Sequence, residues 1–457
     1  MQLSKHNNSE VLDAMKSISE ITGLDFERVC RTGISTWWTA IFDNMMENGE
    51  CGRSRIPRIN GKSSELQYVG GIVLQPKKGL YHDLIVVDVT SLYPTMARLH
   101  NLSFDTINCE CCKGNLQCEI AKDITKDCKI EEEYWVCRQK REGAFPKKLK
   151  IFKQERLKQK KLGNHVKQLA LKILINGGYG VFGSQYFKYY DPRVAELITA
   201  YGRYTIFKMK DIAQKMGFEI VYGDTDSLFL HYRNDKADLS QNNEEGISKF
   251  KEECSKQLGI EVEHTKTYKT AIISDKKKHY VGWTGIQGKE PDIVGMEGDK
   301  NDRPKWINSV FRQTVYDIVR GINPFVNLEK AISHLEAGNV DSELLKRSNR
   351  LSKNPEEYEN ENDRKRKIGL AVGARKGDVI ESFECDSKEG YSLNAEEISI
   401  RKYKTMLWKV VKDVLEIAGY DIAAPERDLN LNYKEEGKEG EVDHMAKPPR
   451  GMVGYAS

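Results

Sequence analysis

Two short stretches restrict the fold more than anything else in this chain. Residues 84–89 read LIVVDV, an apolar run closed by an acid, the pattern of a strand buried on both faces. Residues 218–232 read FEIVYGDTDSLFLHY, two apolar strands joined by an acidic turn, which predicts a β-hairpin. An acid at one strand end is usually just solvated. Two acid-bearing strands with a strongly basic helical segment between them are a much rarer combination, and they point to carboxylates gathered for chemistry.

The rest of the chain is read around these strands. With 457 residues it has room for several structural units and a sizeable core. Residues 9–47 carry helical periodicity in two runs, VLDAMKSISEITG and STWWTAIFDNMMENG. Residues 50–66 read as an exposed loop. Residues 67–99 are expected to be strands, and 100–145 a cysteine-rich loop region. From about 147 to 183 the pattern is helical and basic, and another helix follows at 193–216. Strands are expected over 262–283, and helices over 304–320, 326–336 and 398–418. The tail, 433–457, reads as flexible. No apolar run reaches the roughly 18 residues of a membrane span. The polar amino terminus does not read as a signal peptide, so an intracellular, cytoplasmic location is the default expectation. Net charge is only +4, so a nucleic-acid partner has to be argued from where the charge sits.

The candidate chemistry falls into three constellations. The first is Asp88-Val89-Thr90-Ser91-Leu92-Tyr93-Pro94, an acid followed by a small-residue turn and a tyrosine. The second is Tyr222-Gly223-Asp224-Thr225-Asp226-Ser227. Mg²⁺ prefers oxygen ligands and is typically held by one or two carboxylates plus substrate phosphates. Two such ions can hold both the attacking and the leaving oxygen of a phosphoryl displacement. The third constellation lies between these acids. Lys172, Asn176 and Tyr179 fall on one helical face, and upstream Arg156 and Lys160 are also one turn apart. Two antiparallel helices would present these cations to a triphosphate; a solvated basic surface is the alternative.

The order DxxSLYP, KxxxNxxYG, YGDTDS resembles motifs A, B and C of B-family DNA polymerases. Tyr68-Val69-Gly70-Gly71 resembles that family's YxGG segment, and Lys277-Lys278-His279-Tyr280 its KKxY segment. Residues 294–302 resemble the lead into the thumb, and the likeness covers about residues 20–420. It implies an α+β right hand with an antiparallel-sheet palm, helical-hairpin fingers and a mostly helical thumb. The implied boundaries are 1–66 for the end of a nuclease domain and a linker, 67–145 and 185–294 for the palm, 146–184 for the fingers, 295–432 for the thumb, and 433–457 for the tail. The activity implied is template-directed addition of dNMP to a primer 3′ end, with two Mg²⁺ ions and release of pyrophosphate. A catalytically silent, polymerase-like DNA-binding subunit is the rival reading; such a protein would be expected to lose its acids or its triphosphate-binding cations.

Roles follow from the resemblance. Asp88, Asp226 and the Val89 carbonyl would hold metal, and Asp224 would be a supporting acid. Arg156, Lys160, Lys172 and Asn176 would bind dNTP, with Lys172 also a candidate proton donor to the leaving group. Backbone N–H groups of Ser91, Leu92 and Tyr93 would hold phosphate oxygens. The Tyr93 ring would exclude a 2′-hydroxyl, and Tyr179 would pack near the nascent base pair. Tyr68, Gly70, Gly71, Lys277, Lys278 and Tyr280 would contact primer-template DNA. One departure stands out: Gly177 and Gly178 follow the motif B asparagine, which predicts a loosened helix.

No DxE strand of a proofreading nuclease precedes the polymerase motifs. The expectation is the carboxy-terminal part of a split or truncated enzyme, with a separate chain supplying the nuclease region. Trp37, Trp38 and Ile41 would then be exposed and seek a partner, or else pack on the chain's own core. Six cysteines fall between Cys109 and Cys137, namely Cys109, Cys111, Cys112, Cys118, Cys128 and Cys137. Free thiols, structural Zn²⁺ and a disulfide are all open readings; archaeal relatives make Cys112–Cys137 the candidate bridge. The basic stretches 346–353 and 364–367 would track duplex DNA or form a solvated surface.

Overall fold

The computed structural model describes residues 8–51, 67–131, 133–138, 141–232 and 239–423. The loop expected over 50–66 lies almost wholly outside these residues, and the 433–457 tail lies entirely outside. The chain divides into two units, Met1–Gly295 and Met296–Ser457.

The first unit opens with three helices rather than two: α1 (Asn8–Thr22), α2 (Phe26–Arg31) and α3 (Ile34–Glu47). Asp25 creates the extra helix by accepting the Arg28 N–H at 2.8 Å, a side-chain cap at its first turn. Strand β1 (Gly79–Val89) is followed by helix α4 (Leu92–Leu99), so only part of 67–99 is strand. The α4 segment buries Leu92, Met96 and Ala97, a helical spacing that the short SLYP-TMARL stretch disguises. After the short α5 (Lys122–Thr125) come α6 (Ala144–Lys161), α7 (His165–Gly177) and α8 (Pro192–Lys215). Asp191 caps α8, and Pro192 fits its first position, where no N–H is needed. Strands β2 (Phe218–Asp224) and β3 (Ser227–Tyr232) form the expected hairpin. Helix α9 (Leu239–Leu258) was not anticipated; strands β4 (Val262–Ile273), β5 (Tyr280–Trp283) and β6 (Asp292–Val294) complete the unit.

The six strands form one antiparallel sheet in the order β2-β3-β1-β4-β5-β6. Alternation along β1 explains its continuous apolar run. Ile85, Val87 and Val89 enter the main core beneath the helices, while Leu84 and Val86 join a second cluster with Tyr222, Phe229 and Tyr268.

Trp37, Trp38 and Ile41 are buried at 5%, 0% and 2% exposure, which removes the idea that they seek a partner surface. Trp38 packs on Phe42, Phe145 and Phe152 and donates its indole N–H to the Leu174 carbonyl at 3.1 Å. Helix α3 is thus seated on the α6–α7 hairpin. The paired glycines allow that seating. A Cβ at Gly177 would lie 2.8 Å from Ile34, and one at Gly178 would lie 2.7 Å from the Trp38 ring. The glycine pair thus closes α7, with Gly178 at its C-cap, and also permits this close helix–helix approach.

The second unit contains α10 (Lys305–Val319), α11 (Pro324–Glu336), α12 (Ser342–Leu345), β7 (Arg347–Arg350), α13 (Arg364–Ala371), β8 (Val379–Glu384), β9 (Tyr391–Ser392) and α14 (Ile400–Ile417). Its three strands form a small antiparallel sheet. Much of the basic charge expected to face a duplex is answered inside this unit. Arg347 and Arg364 both pair with Glu384, at 3.3 and 2.6 Å, Lys346 pairs with Glu343 at 2.6 Å, and Lys367 pairs with Glu389 at 2.5 Å. Among the described residues no helix is long and apolar enough to cross a membrane.

Candidate active site

The acids of the two sequence stretches meet through the main chain. Asp88 stands opposite Ser227 in the β1–β3 ladder, and the Val89 N–H donates to the Asp226 carbonyl at 2.9 Å. Thr225 turns the hairpin with φ +60°, and its N–H donates to the Ile72 carbonyl at 2.9 Å. On the other side of β1, Asp88 faces Glu263 of β4, a carboxylate the sequence reading missed. Burial, then Asp226, then Glu263 push Asp88 up to about 7. Burial also raises Asp226, with Asp224 adding to the rise and Lys278 opposing it. Carboxylates crowded in this way favour a cation between them.

A cavity of about 840 Å³ lies over this strand end. It is lined by Asp88, Asp226 and Glu263, by Ser91, Leu92 and Tyr93, and by Arg156, Lys160, Lys172, Asn176 and Tyr179. Helix α6 supplies Arg156 and Lys160, and α7 supplies Lys172 and Asn176. Arg98 and Lys153 line it too and were not anticipated; Lys153 pairs with Glu261 at 2.7 Å. Two buried polar atoms on the cavity wall, Arg156 Nε and Thr90 Oγ1, have no hydrogen-bond partner among the described residues. A buried donor left in this way is costly unless a ligand uses it. Ser91, at φ +52°, turns the chain so that α4 begins at the cavity with its first N–H groups unclaimed by the helix. Oxygen ligands, uncompensated carboxylates and surplus cations together fit divalent metal plus a polyphosphate.

Tyr93 is held on three sides. Its ring lies 4.4 Å from that of Tyr179, centroid to centroid, and a Cβ at Gly202 of α8 would lie 3.0 Å from it. Its hydroxyl abuts Gly71, where a side chain would collide with it. The 68–71 segment is fastened to α8. Thr199 Oγ1 donates to the Val69 carbonyl at 2.6 Å, and Arg203 donates to the Val69 and Gly70 carbonyls at 2.7 and 2.8 Å. Tyr68 packs against Gly183. Thr199, Gly202 and Arg203 escaped the sequence reading because their role is to hold backbone, which no motif announces.

Asp224, Lys277, Lys278 and Tyr280 are not among the residues lining the cavity. Lys278 pairs with Asp224 at 3.4 Å, and its N–H donates to the Tyr222 hydroxyl at 2.9 Å, which ties this loop to the hairpin. The Tyr280 ring packs edge-on to Phe229 at 5.1 Å, so it belongs at least partly to the sheet's second core. Lys277 is exposed.

The sequence profile of DNA polymerase family B matches residues 39–383. DNA polymerase 1 of Saccharolobus solfataricus is 32% identical over 71% of this chain and 37% of its own length. DNA polymerase 1 of Sulfolobus acidocaldarius is 28% identical over 92% of this chain and 50% of its own. This chain thus spans half or less of the length of those relatives. Among solved structures, the family B DNA polymerase of the hyperthermophilic archaeon Pyrobaculum calidifontis superposes with a TM-score of 0.60 at 22% identity, covering 90% of this chain and 53% of that one. With the motifs, the sheet and the profile in agreement, the chain belongs to DNA polymerase family B.

Proposed function

We propose that this chain is a DNA-directed DNA polymerase module that joins a dNMP to a primer 3′ end. The observation that carries the reading is the single cavity in which Asp88 and Asp226 face Arg156, Lys160, Lys172 and Asn176. In this reading the six-stranded sheet is the palm, α6 and α7 are the fingers, and the second unit is the thumb.

Asp88, Asp226 and the Val89 carbonyl would hold two Mg²⁺ ions, which when bound supply charge neutralisation to both oxygens of the displacement. The remaining work falls to the chain. Arg156, with its unpartnered Nε, Lys160 and Lys172 bind the triphosphate and stabilise charge that builds on the leaving pyrophosphate. Lys172, which lines the same cavity, would give that leaving group a proton. The first N–H groups of α4 orient phosphate oxygens. Tyr93, which cannot retreat past Gly202 or Gly71, excludes a 2′-hydroxyl. Asp224, joined to Lys278, supports the primer end, and the 68–71 and 277–280 segments contact primer-template DNA.

Primer extension by the purified chain tests this, with Asp226→Ala and Tyr93→Ala beside it. Extension with dNTPs that Asp226→Ala abolishes, and ribonucleotide incorporation gained by Tyr93→Ala, are the expected results. Extension that survives Asp226→Ala refutes the metal assignment.

A further inference from the structure

The cysteine-rich segment after α4 places four sulfurs together. Cys109, Cys111, Cys112 and Cys137 have Sγ atoms that all lie within 4.8 Å of one another. Cys111 Sγ is 3.4 Å from that of Cys109, 3.9 Å from that of Cys112 and 3.8 Å from that of Cys137. A tetrahedral Zn²⁺ with Zn–S bonds of about 2.3 Å sets its sulfurs about 3.8 Å apart. None of the ten cysteines forms a disulfide, so the Cys112–Cys137 bridge is not made. We propose that these four cysteines bind one Zn²⁺ ion as a closed structural site.

The choice of one ion over a cluster follows from the spacing. In an iron–sulfur cube each thiolate holds a different iron, which spreads the sulfurs wider than a single ion does. All-thiolate ligation also argues against Mg²⁺ or Ca²⁺, which take oxygen. With four protein ligands no position is left for water, so the ion is structural and not catalytic. Cys109, Cys112 and Cys137 are buried and Cys111 is exposed, which gives the ion a path in. Trp135 covers the cluster and donates its indole N–H to the Cys109 carbonyl at 2.8 Å.

The backbone around the sulfurs is already paired. Cys137 N–H donates to the Thr106 carbonyl at 3.0 Å, Asn108 N–H to the Trp135 carbonyl at 2.8 Å, and Ile107 bridges Val136. The same loop caps α6. Asn101 donates to the Cys137 carbonyl at 2.6 Å and accepts from Gly143 N–H at 2.7 Å, while Asp105 accepts from Ala144 N–H at 3.2 Å and Ser103 from Phe145 N–H at 3.2 Å. The ion would therefore fasten the root of the helix that carries Arg156 and Lys160. Cys118 and Cys128 lie outside the four.

Metal analysis of the purified, reduced chain decides the matter without any activity measurement. The expected result is about one zinc and no iron per chain, with X-ray absorption showing four sulfurs near 2.3 Å. Exposed Cys111→Ser should lose most of the zinc and lower the thermal midpoint, while Cys128→Ser should keep the zinc. Any of three results overturns the proposal: no bound zinc after growth and refolding with the metal, zinc retained in full by Cys111→Ser, or a thiol count two short of ten in chain denatured without prior reduction, the signature of a disulfide.

Discussion

Gly178→Ala sets the sequence-based expectation directly against the structure. Gly178 has φ −66° and ψ −31°, so alanine meets no backbone strain there, and helix propensity alone would favour it by up to about 1 kcal/mol. The new Cβ, however, would lie 2.7 Å from a Trp38 ring that is itself confined by Phe42, Phe145 and Phe152. Overfilling a packed site costs about 1–3 kcal/mol. Moving the indole also endangers its bond to the Leu174 carbonyl, worth about 1 kcal/mol. The net expectation is destabilisation of about 1–2 kcal/mol, or about 2–4 °C in thermal midpoint per kcal/mol. Calorimetric or denaturant unfolding of the variant measures it. Trp38→Phe is the companion change, because the smaller ring opens the space, so Gly178→Ala should cost less in that background. A Gly178→Ala chain as stable as wild type or more so, or a double variant whose costs simply add, refutes the close-approach argument.

Two other perturbations address the site. Asp88 has a folded value of about 7 against an ordinary 3.8, so the folded chain holds that proton more tightly than the unfolded one. Its contribution to metal-free stability therefore falls as pH rises from about 3.8 to about 7 and is flat above that. Asp88→Asn should remove this part of the slope in thermal melts, and Mg²⁺ should stabilise wild type more at pH 8 than at pH 6; an Asn variant with the wild-type slope contradicts the assignment. Lys172→Leu should cut turnover by about 10²–10³-fold while leaving DNA affinity nearly unchanged. Equal losses in turnover and in DNA binding would show that Lys172 serves binding alone.

The parts of the fold legible in the sequence were those with a local signature. The β1 run and the β2–β3 hairpin announce themselves by apolar continuity and an acidic turn, and α6, α7 and α8 by periodicity. Asp88 is visible because it sits at the end of β1, and Asp226 because it sits in the acidic turn between β2 and β3. What stayed hidden depended on distant neighbours. Glu263 matters only because β4 pairs with β1, a register that no local pattern encodes. Arg203 and Thr199 act on carbonyls more than 100 residues away in sequence. Helix α4 reads as strand in the sequence because eight residues hold too few turns to show a period. Propensity alone reads Gly177 and Gly178 as a weak point in a helix, whereas it is a neighbouring helix that needs their small size.

The three-sided grip on Tyr93 has a mechanical consequence. The ring packs on Tyr179, just beyond the end of α7, and on Gly202 within α8, and its hydroxyl abuts Gly71 in a segment belonging to neither helix. A displacement of any one of these reaches the other two through a side chain that has no spare room. Residues 68–71 are in turn bolted to α8 through two carbonyls, so they have little freedom to absorb such a push themselves. Whatever presses on that segment would be felt at the Tyr93 ring and so at the wall of the candidate cavity. If Tyr93 screens the sugar as proposed, it is a rigid linkage as well as a wall, and that screening is mechanically joined to the position of residues 68–71.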